Sequence, residues 1–438
     1  AGATTGTASF TPTDDSTYEG NETGIVAIST VSGGSATEDG TQSVTITINE
    51  NETPPVVNLS INNSSIAENS SGTITVTATL SFATIIDTTV VLDTSGTATE
   101  GTDYGTISDI TISAGDTTGT ATFDPTDDSV YEGNETATVT IANVVGADSG
   151  STTSQTVTIT ENDSTPVVTL ATSASTIAEN AGSSLTLTAT LSNATTEDVT
   201  VALSTSGTGT EGTDYSTISD ITVSAGQTTG TATFTPTDDS VYEGNETGIV
   251  AIDSVSGGSA NESGTPQEVT ITITENESAP TVVLTSSTSS ITENAGSSLT
   301  LTATLSVATT ADVTVGISTS GTGTEGTDYS TISDITVSAG QTTGTATFTP
   351  TDDSVYEGNE TGIVAISTVS GGSATEDGTQ SVTITITENE SAPTVTLTSS
   401  ASSITENAGS SLTLTATLSV ATTADVTVGI STSGTGTE

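Results

Sequence analysis

Apolar and hydroxyl side chains alternate along many short segments of this chain. Residues 299–305 read Leu-Thr-Leu-Thr-Ala-Thr-Leu, and residues 382–386 read Val-Thr-Ile-Thr-Ile. A period of two in segments rich in Val, Ile and Thr is typical of strands that bury one face. No segment has a helical period, so the sequence predicts an all-β protein. In the region 280–391 we predict seven strands, near 281–290, 298–306, 312–319, 331–338, 344–351, 361–369 and 380–388.

Glycine-rich turns separate these predicted strands. They include Ala295-Gly296, residues 321–326, Ala339-Gly340 and Gly371-Gly372. Short strands at regular intervals with such turns are typical of antiparallel Greek-key sandwiches of the immunoglobulin-like class. The predicted fold is therefore a seven-stranded antiparallel β-sandwich.

The chain repeats itself. The segment Asp-Asp-Ser-Val-Tyr-Glu-Gly-Asn-Glu begins at Asp127, Asp238 and Asp352, and a near copy begins at Asp14. These copies recur at intervals of 111 to 114 residues. That length suits one sandwich domain and is too long for a solenoid unit. The sequence thus predicts a tandem array of sandwiches.

Proline marks each boundary of the array, at Pro54-Pro55, Pro166, Pro280 and Pro393. Because proline fixes its own φ and lacks an N–H, these segments are predicted to be short, stiff linkers. The predicted complete domains are 54–165, 166–279 and 280–391. Residues 1–53 are predicted to be the C-terminal part of such a domain and 392–438 the N-terminal part of another. The chain is therefore expected to be a window of a longer array.

The charge of the chain limits what it can bind. The chain has 54 acidic residues and no Lys, Arg or His, which gives a net charge of −54. The repeated segment places four carboxylates within nine residues, and such a cluster is stable only when protons or metal ions compensate it. This charge excludes electrostatic binding to nucleic acid or to an anionic membrane. No thiolate site is available because the chain has no Cys, and no apolar run approaches the roughly 18 residues of a membrane span.

Several motifs together resemble one family. Each complete repeat has Glu-Asn early in the domain, Gly-Thr-Asp-Tyr in the middle, the acidic segment later, and Glu-Asn-Glu or Glu-Asn-Asp at the end. This combination is similar to the Calx-beta domain, the calcium-sensing sandwich of sodium/calcium exchangers and of many bacterial surface proteins. The resemblance implies that calcium is the bound ion and that its ligands lie at one tip of each sandwich.

The resemblance assigns the ligands position by position. In 54–165 they are Glu68, Asp127, Asp128, the Val130 carbonyl, Glu132, Glu135, Glu161 and Asp163; in 166–279 Glu179, Asp238, Asp239, Glu243, Glu246, Glu275 and Glu277; in 280–391 Glu293, Asp352, Asp353, Glu357, Glu360, Glu388 and Glu390; and in the partial copies Asp14, Asp15, Glu19, Glu22, Glu50, Glu52 and Glu406.

The chain also departs from the family pattern. Ser95, Ser206 and Ser320 stand where the family's strongest binders have an acidic residue, which implies fewer or weaker ions per domain. The aspartates of Gly-Thr-Asp-Tyr, namely Asp103, Asp214 and Asp328, are predicted to form turns beside a packed tyrosine rather than to bind metal.

We predict that the chain is a structural segment of an extracellular or cell-surface stalk, adhesin shaft or filament, stiffened by calcium. Its predicted partners are neighbouring repeats and other copies in a filament. The alternatives are a calcium-sensing regulatory array and a passive solvated spacer without ions. Paired carboxylates also occur in glycosidases, but without His, Lys, Arg or Cys the usual catalytic partners are missing, so an enzyme is not predicted.

Overall fold

The computed structural model describes residues 2–407 and 409–435. Residues 1, 408 and 436–438, which belong to the predicted partial domains 1–53 and 392–438, lie outside the described residues. The described residues form strands, turns and irregular segments, and they include no helix that is long and apolar enough to cross a membrane. The N-terminal region contributes one antiparallel pair, β1 (Glu22–Ala27) and β2 (Ser43–Ile48).

The first sandwich follows. Its strands are β3 (Val56–Ile61), β4 (Ser65–Ala67), β5 (Ile74–Leu80), β6 (Thr88–Gly96), β7 (Ile110–Ile112), β8 (Thr118–Phe123), β9 (Val130–Tyr131), β10 (Glu135–Val145), β11 (Asp148–Ser149) and β12 (Ser154–Thr160). One sheet has the order β4-β12-β10-β6-β7 and the other has the order β11-β3-β5-β8.

The second sandwich repeats this plan. Its strands are β13 (Val167–Thr172), β14 (Thr176–Ala178), β15 (Leu185–Leu191), β16 (Ala194–Thr195), β17 (Val199–Gly207), β18 (Ile221–Val223), β19 (Thr229–Phe234), β20 (Val241–Tyr242), β21 (Glu246–Ser256), β22 (Asn261–Glu262) and β23 (Glu268–Thr274). Its sheets have the orders β14-β23-β21-β17-β18 and β19-β15-β13-β22.

The third sandwich has the same two sheets, β25-β34-β32-β28-β29 and β30-β26-β24-β33. Its strands are β24 (Thr281–Ser286), β25 (Ser290–Thr292), β26 (Leu299–Leu305), β27 (Ala308–Thr309), β28 (Val313–Gly321), β29 (Ile335–Val337), β30 (Thr343–Phe348), β31 (Val355–Tyr356), β32 (Glu360–Ser370), β33 (Thr375–Glu376) and β34 (Ser381–Thr387). The C-terminal region adds β35 (Val395–Ser399), β36 (Leu414–Leu418) and β37 (Ala421–Thr422).

Each sandwich has its own core, built by the alternation seen in the sequence. In β5, Ile74, Val76, Ala78 and Leu80 are buried, whereas the threonines between them face outward. Each core also contains one stacked aromatic pair. Tyr104 stacks on Phe123 with ring centroids 4.6 Å apart, and Tyr215–Phe234 and Tyr329–Phe348 repeat the contact. Each sandwich therefore folds around one modest core.

The prediction of tandem all-β sandwiches is confirmed, with added detail. The predicted strand 281–290 is split into β24 and β25, which lie in different sheets. Two short pairs in each sandwich are parallel, for example β4 with β12 and β11 with β3. Three two-residue strands pair beyond their own sandwich: β9 and β20 pair with β16 and β27 of the sandwich that follows, and β31 pairs with β37 of the C-terminal region.

Candidate metal site at the acidic tip

The acidic segment of the first sandwich starts from a fixed anchor in the core. Tyr104 forms a bridge with Pro125, and the Thr126 amide donates to the Asp103 carbonyl at 2.9 Å. Because Tyr104 is buried against Phe123, this anchor positions the chain just before Asp127. The acidic segment therefore begins one residue after a position that is anchored to the core.

The turn of the acidic segment depends on one glycine and one asparagine. Gly133 has φ of +80°, a left-handed conformation that glycine adopts without strain. The Asn134 Oδ1 atom accepts a hydrogen bond from the Glu161 amide at 3.0 Å. The Glu-Gly-Asn motif thus folds the segment back toward the exit of the last strand.

The Glu161 side chain connects the acidic segment to the exit of the last strand. Its Oε2 atom accepts the amides of Glu132 at 2.7 Å and Gly133 at 2.9 Å, and its Oε1 atom accepts those of Asn162 and Asp163, both at 2.8 Å. Burial alone would raise the pKa of Glu161, but these four backbone amides hold it below its usual value. This carboxylate therefore stays ionised and organises the tip.

The same arrangement recurs in every copy of the acidic segment. The Glu243 and Gly244 amides donate to Glu275 Oε2 at 2.6 and 2.8 Å, and the Glu357 and Gly358 amides donate to Glu388 Oε2 at 2.6 and 2.8 Å. Desolvation opposes ionisation there too, yet the accepted amides lower the pKa of both Glu275 and Glu388 to about 2. In the N-terminal region, Glu50 Oε2 accepts the amides of Glu19 and Gly20.

A buried carboxylate faces this tip in each sandwich. Glu68, Glu179 and Glu293 are only 6 to 8% exposed. Oxygens of Glu68, Glu161 and Asp163 lie within 4.8 Å of one another, and the trios Glu179–Glu275–Glu277 and Glu293–Glu388–Glu390 do the same. Burial, with nearby carboxylates, raises the pKa of Glu68, Glu179 and Glu293 to about 7. The carboxylates of each trio therefore have no positively charged side chain nearby to balance them.

One oxygen of each trio has no partner at all. Asp163 Oδ2, Glu277 Oε2 and Glu390 Oε2 are buried and accept no hydrogen bond. Leaving such an atom unsatisfied costs about 1–3 kcal/mol or more for a charged group. A cation at this position would satisfy it. The three atoms occupy equivalent positions, so the residues present fit a bound metal ion.

Two glutamates of the acidic segment form a second trio with the aspartate of Gly-Thr-Asp-Tyr. Oxygens of Asp103, Glu132 and Glu135 lie within 4.8 Å of one another, as do those of Asp214, Glu243 and Glu246. Burial, followed by repulsion from Asp103, raises the pKa of Glu132 and of Glu135 to about 7. In the third sandwich, burial and Asp328 raise the pKa of Glu360 to about 7. All the candidate ligand atoms of these trios are oxygens, which are the donors that a hard cation such as Ca²⁺ prefers.

The structure gathers most of the residues that the sequence singles out. Asp127 Oδ1 accepts from Asn162 Nδ2 at 3.3 Å, and Asp128 lies between the Glu68 carboxylate and the Val130 amide. Val130 lies in β9 beside the following sandwich. In the N-terminal region, Asp14, Asp15, Glu19, Glu22, Glu50 and Glu52 line one open cavity. Glu406 is exposed, and the acidic segment that surrounds its counterparts does not occur after it in the sequence.

Two kinds of residue at the tip were not predicted from the sequence. Asp103 does form the expected turn, since its Oδ2 atom accepts the Thr99 amide at 2.6 Å, but it also joins the second trio. Asn134 was not predicted to brace the exit strand. The same asparagine recurs within Glu-Gly-Asn at Asn21, Asn245 and Asn359, and each accepts the amide of the exit glutamate. This recurrence is the sequence signal that would have identified its role.

The Calx-beta domain family matches residues 50–163, 161–277 and 275–390, one match for each sandwich. The chain belongs to the Calx-beta domain family. Domains of this family are structural or binding modules, and the acidic tips described above lie within the matched segments. No curated protein matches the chain.

Several solved structures are similar to this Calx-beta chain. CBD12 from CALX1.2 is 17% identical over 50% of this chain and 99% of that chain, with a TM-score of 0.23. The calcium binding domain CBD12 of CALX1.1 is 16% identical over 48% of this chain and 96% of that chain, with a TM-score of 0.22. Invasin, a bacterial integrin-binding protein, is 17% identical over 78% of this chain and 62% of that chain, with a TM-score of 0.26.

Proposed function

We propose that this chain is a structural segment of an extracellular or cell-surface tandem-repeat stalk, adhesin shaft or filament, and that calcium bound at the acidic tips stiffens it. Three consecutive Calx-beta matches support the array, and the all-oxygen clusters support a hard cation. The proposed partners are the neighbouring repeats and other copies in a filament. Nucleic acid is not a partner, because the chain is strongly acidic throughout.

The single observation that carries the proposal is the recurrent orphan oxygen at Asp163, Glu277 and Glu390. An unpaired buried carboxylate oxygen at one site would be an isolated irregularity. Its recurrence at three equivalent sites, each beside a buried glutamate whose pKa is raised to about 7, supports the proposal of a cation-binding position.

The position of the site explains how an ion would act mechanically. Glu161 and Asp163 lie on the exit from β12, five and three residues before the linker proline Pro166. An ion shared by Glu68, the acidic segment and this exit would join three separate parts of the chain at the point where one domain leads into the next. Glu68, Asp128, Glu161 and Asp163 would hold it, and the ion would supply the positive charge that the chain lacks.

Force spectroscopy on the full chain tests the mechanical role. Each sandwich should unfold as a separate event, at a higher force in millimolar calcium than in excess chelator. Magnesium is the control, because it prefers smaller octahedral sites with retained water and should restore less of the force. Equal unfolding forces with calcium and with chelator would contradict a mechanical role for the ion.

A further inference from the structure

The acidic segment has a second contact, with the following sandwich. Residues Val130↔Ala194 and Tyr131↔Thr195 pair in parallel, and so do Val241↔Ala308 and Tyr242↔Thr309. The pair Val355↔Ala421 and Tyr356↔Thr422 repeats the register a third time. We call the Val-Tyr pair the docking segment and the Ala-Thr pair of the next domain the docking edge.

The two sides of the docking segment face different domains. The Val241 amide donates to Asp239 Oδ1 of its own sandwich at 2.6 Å. Because successive residues of a strand direct their peptide groups to opposite sides, the N–H and C=O of Tyr242 face the following sandwich. The Val130 and Val355 amides also donate to their own aspartates, at 2.7 Å each, so the same division holds at all three junctions.

The docking edge is held firmly by its own sandwich. The Thr309 carbonyl accepts the Gly340 amide at 2.8 Å, and Thr309 is only 3% exposed. A Cβ atom added to Gly372 would lie 2.5 Å from Thr309 Cγ2, so the glycine turn packs tightly against this threonine. Since the Thr309 peptide group faces inward, that of Ala308 faces the docking segment. Thr195, Gly226 and Gly258 repeat the arrangement in the second sandwich.

None of the four paired residues at a junction carries a charge. The contact therefore uses main-chain groups that no cation has to neutralise. At the junction before the second sandwich, Asn193 Nδ2 adds a hydrogen bond to the Ser164 carbonyl of the linker at 2.9 Å. A parallel strand pair fixes both direction and register, so it restricts how one domain turns on the next.

We propose that the Ala-Thr edge is a docking surface for the Val-Tyr segment of the preceding domain, and that this main-chain pairing orients consecutive domains without requiring a bound ion. The partner that fits the surface is another repeat of the same kind, which presents an extended uncharged segment for strand addition. Beyond the proposed function, backbone pairing then sets the orientation of the domains. Calcium adds only stiffness to an arrangement that forms without it.

Electron–electron distance measurements between spin labels test this on the full chain. The chain has no native Cys, so Thr222→Cys and Thr336→Cys give two unique labels at equivalent exposed positions of β18 and β29. The measurement is made in excess chelator. Ala308→Pro removes an amide that faces the docking segment, and Tyr242→Pro removes one from the opposite side. Ala308→Ser keeps the amide and is the matched control.

The parent and Ala308→Ser should each show one narrow distance distribution in chelator. Both proline variants should lose that peak, and because they alter different domains, a folding defect in one sandwich would not account for both results. A broad distribution in the parent, or an unchanged narrow peak in both proline variants, would overturn the proposal. Since no calcium is present, the result does not depend on whether the acidic tip binds it.

Discussion

Glu161 accepts a 2.7 Å hydrogen bond from the backbone amide of Glu132, so the exit of the last strand holds the acidic segment of its own domain. The chain separation between these residues is 29, and the contact recurs between Glu275 and Glu243 and between Glu388 and Glu357. One carboxylate of the tip is thus a structural anchor, whereas its neighbours carry uncompensated charge. This division predicts opposite effects for substitutions only a few ångströms apart.

Removing the anchor charge should destabilise the protein even without calcium. The combined change Glu161→Gln, Glu275→Gln and Glu388→Gln replaces an acceptor of four amides with a neutral group that has only one acceptor oxygen. Each loss should cost about 1–3 kcal/mol per domain. Urea unfolding of the full chain in chelator measures this cost, and an unchanged midpoint would show that Glu161 does not anchor the tip.

Removing charge from the acidic segment itself should weaken calcium binding but spare the apo fold. Glu132→Gln, Glu243→Gln and Glu357→Gln combined should lower calcium affinity by on the order of tenfold, the effect of about 1.5 kcal/mol at each site. The melting temperature in chelator should stay the same or rise, because repulsion at the tip decreases. Calorimetric titration measures the affinity.

The control for that experiment is Asp93→Asn with Asp253→Asn, which removes two exposed carboxylates in the middle of β6 and β21. Calcium affinity should not change in this variant. An equal loss of affinity in both variants would mean that bulk charge, rather than the acidic tip, determines binding.

Stability without calcium should fall as the pH rises from about 5 to about 8. Burial raises the pKa of six glutamates to about 7, above the unfolded value of 4.5: Glu68, Glu179, Glu293, Glu135, Glu246 and Glu360. Their contribution is therefore fully present below the unfolded pKa and is lost as the pH passes through about 7. Because the chain has no His or Cys, other side chains contribute little in this range.

Calcium should remove much of this pH dependence, since the ion replaces the protons that the clustered carboxylates otherwise retain. Glu275 and Glu388 act in the opposite direction: their pKa is lowered to about 2, so their stabilisation is lost only as the pH falls toward that value. Thermal melts across this range, with calcium and with chelator, provide the comparison. A melting temperature in chelator that rises from pH 5 to pH 8 would contradict the assignment.

Asp103 offers a test of the second trio. Asp103→Asn, Asp214→Asn and Asp328→Asn keep an oxygen for the Thr99, Thr210 and Thr324 amides but remove a charge beside Glu135, Glu246 and Glu360. Calcium affinity should fall. The matched control is Asp109→Asn, Asp220→Asn and Asp334→Asn, whose side chains also accept one backbone amide each. Equal affinities in the two sets would leave Asp103 as a turn residue only.

Much of the fold could be predicted because its signal is local. Alternating Thr with Val, Ile or Leu identifies strands such as β26 and β34, whose ranges 299–305 and 381–387 agree closely with the expected ones. The split of 281–290 into β24 and β25 was missed. A bend at Ser287 precedes the change from one sheet to the other, and three residues, Ser290 to Thr292, are too few to show a period.

The parts that were missed depend on contacts distant in sequence. Asp103 reaches the acidic segment because Tyr104 pairs with Pro125 and stacks on Phe123, which no local pattern reveals. The docking strands are two residues long and join different domains, so no hydrophobic period marks them. The ligand set is implied by the family resemblance alone, and calcium binding by those oxygens stays a prediction.

We predict that calcium at the acidic tip stabilises each sandwich. Scanning calorimetry of the full chain at about pH 8, in millimolar calcium and in excess chelator, tests it most directly. An ion present at about 100 times its Kd adds about 2.7 kcal/mol for each site that binds it only in the folded state. We predict a clearly higher melting temperature in calcium than in chelator, with magnesium giving a smaller rise. The same melting temperature in calcium and in chelator would contradict the claim.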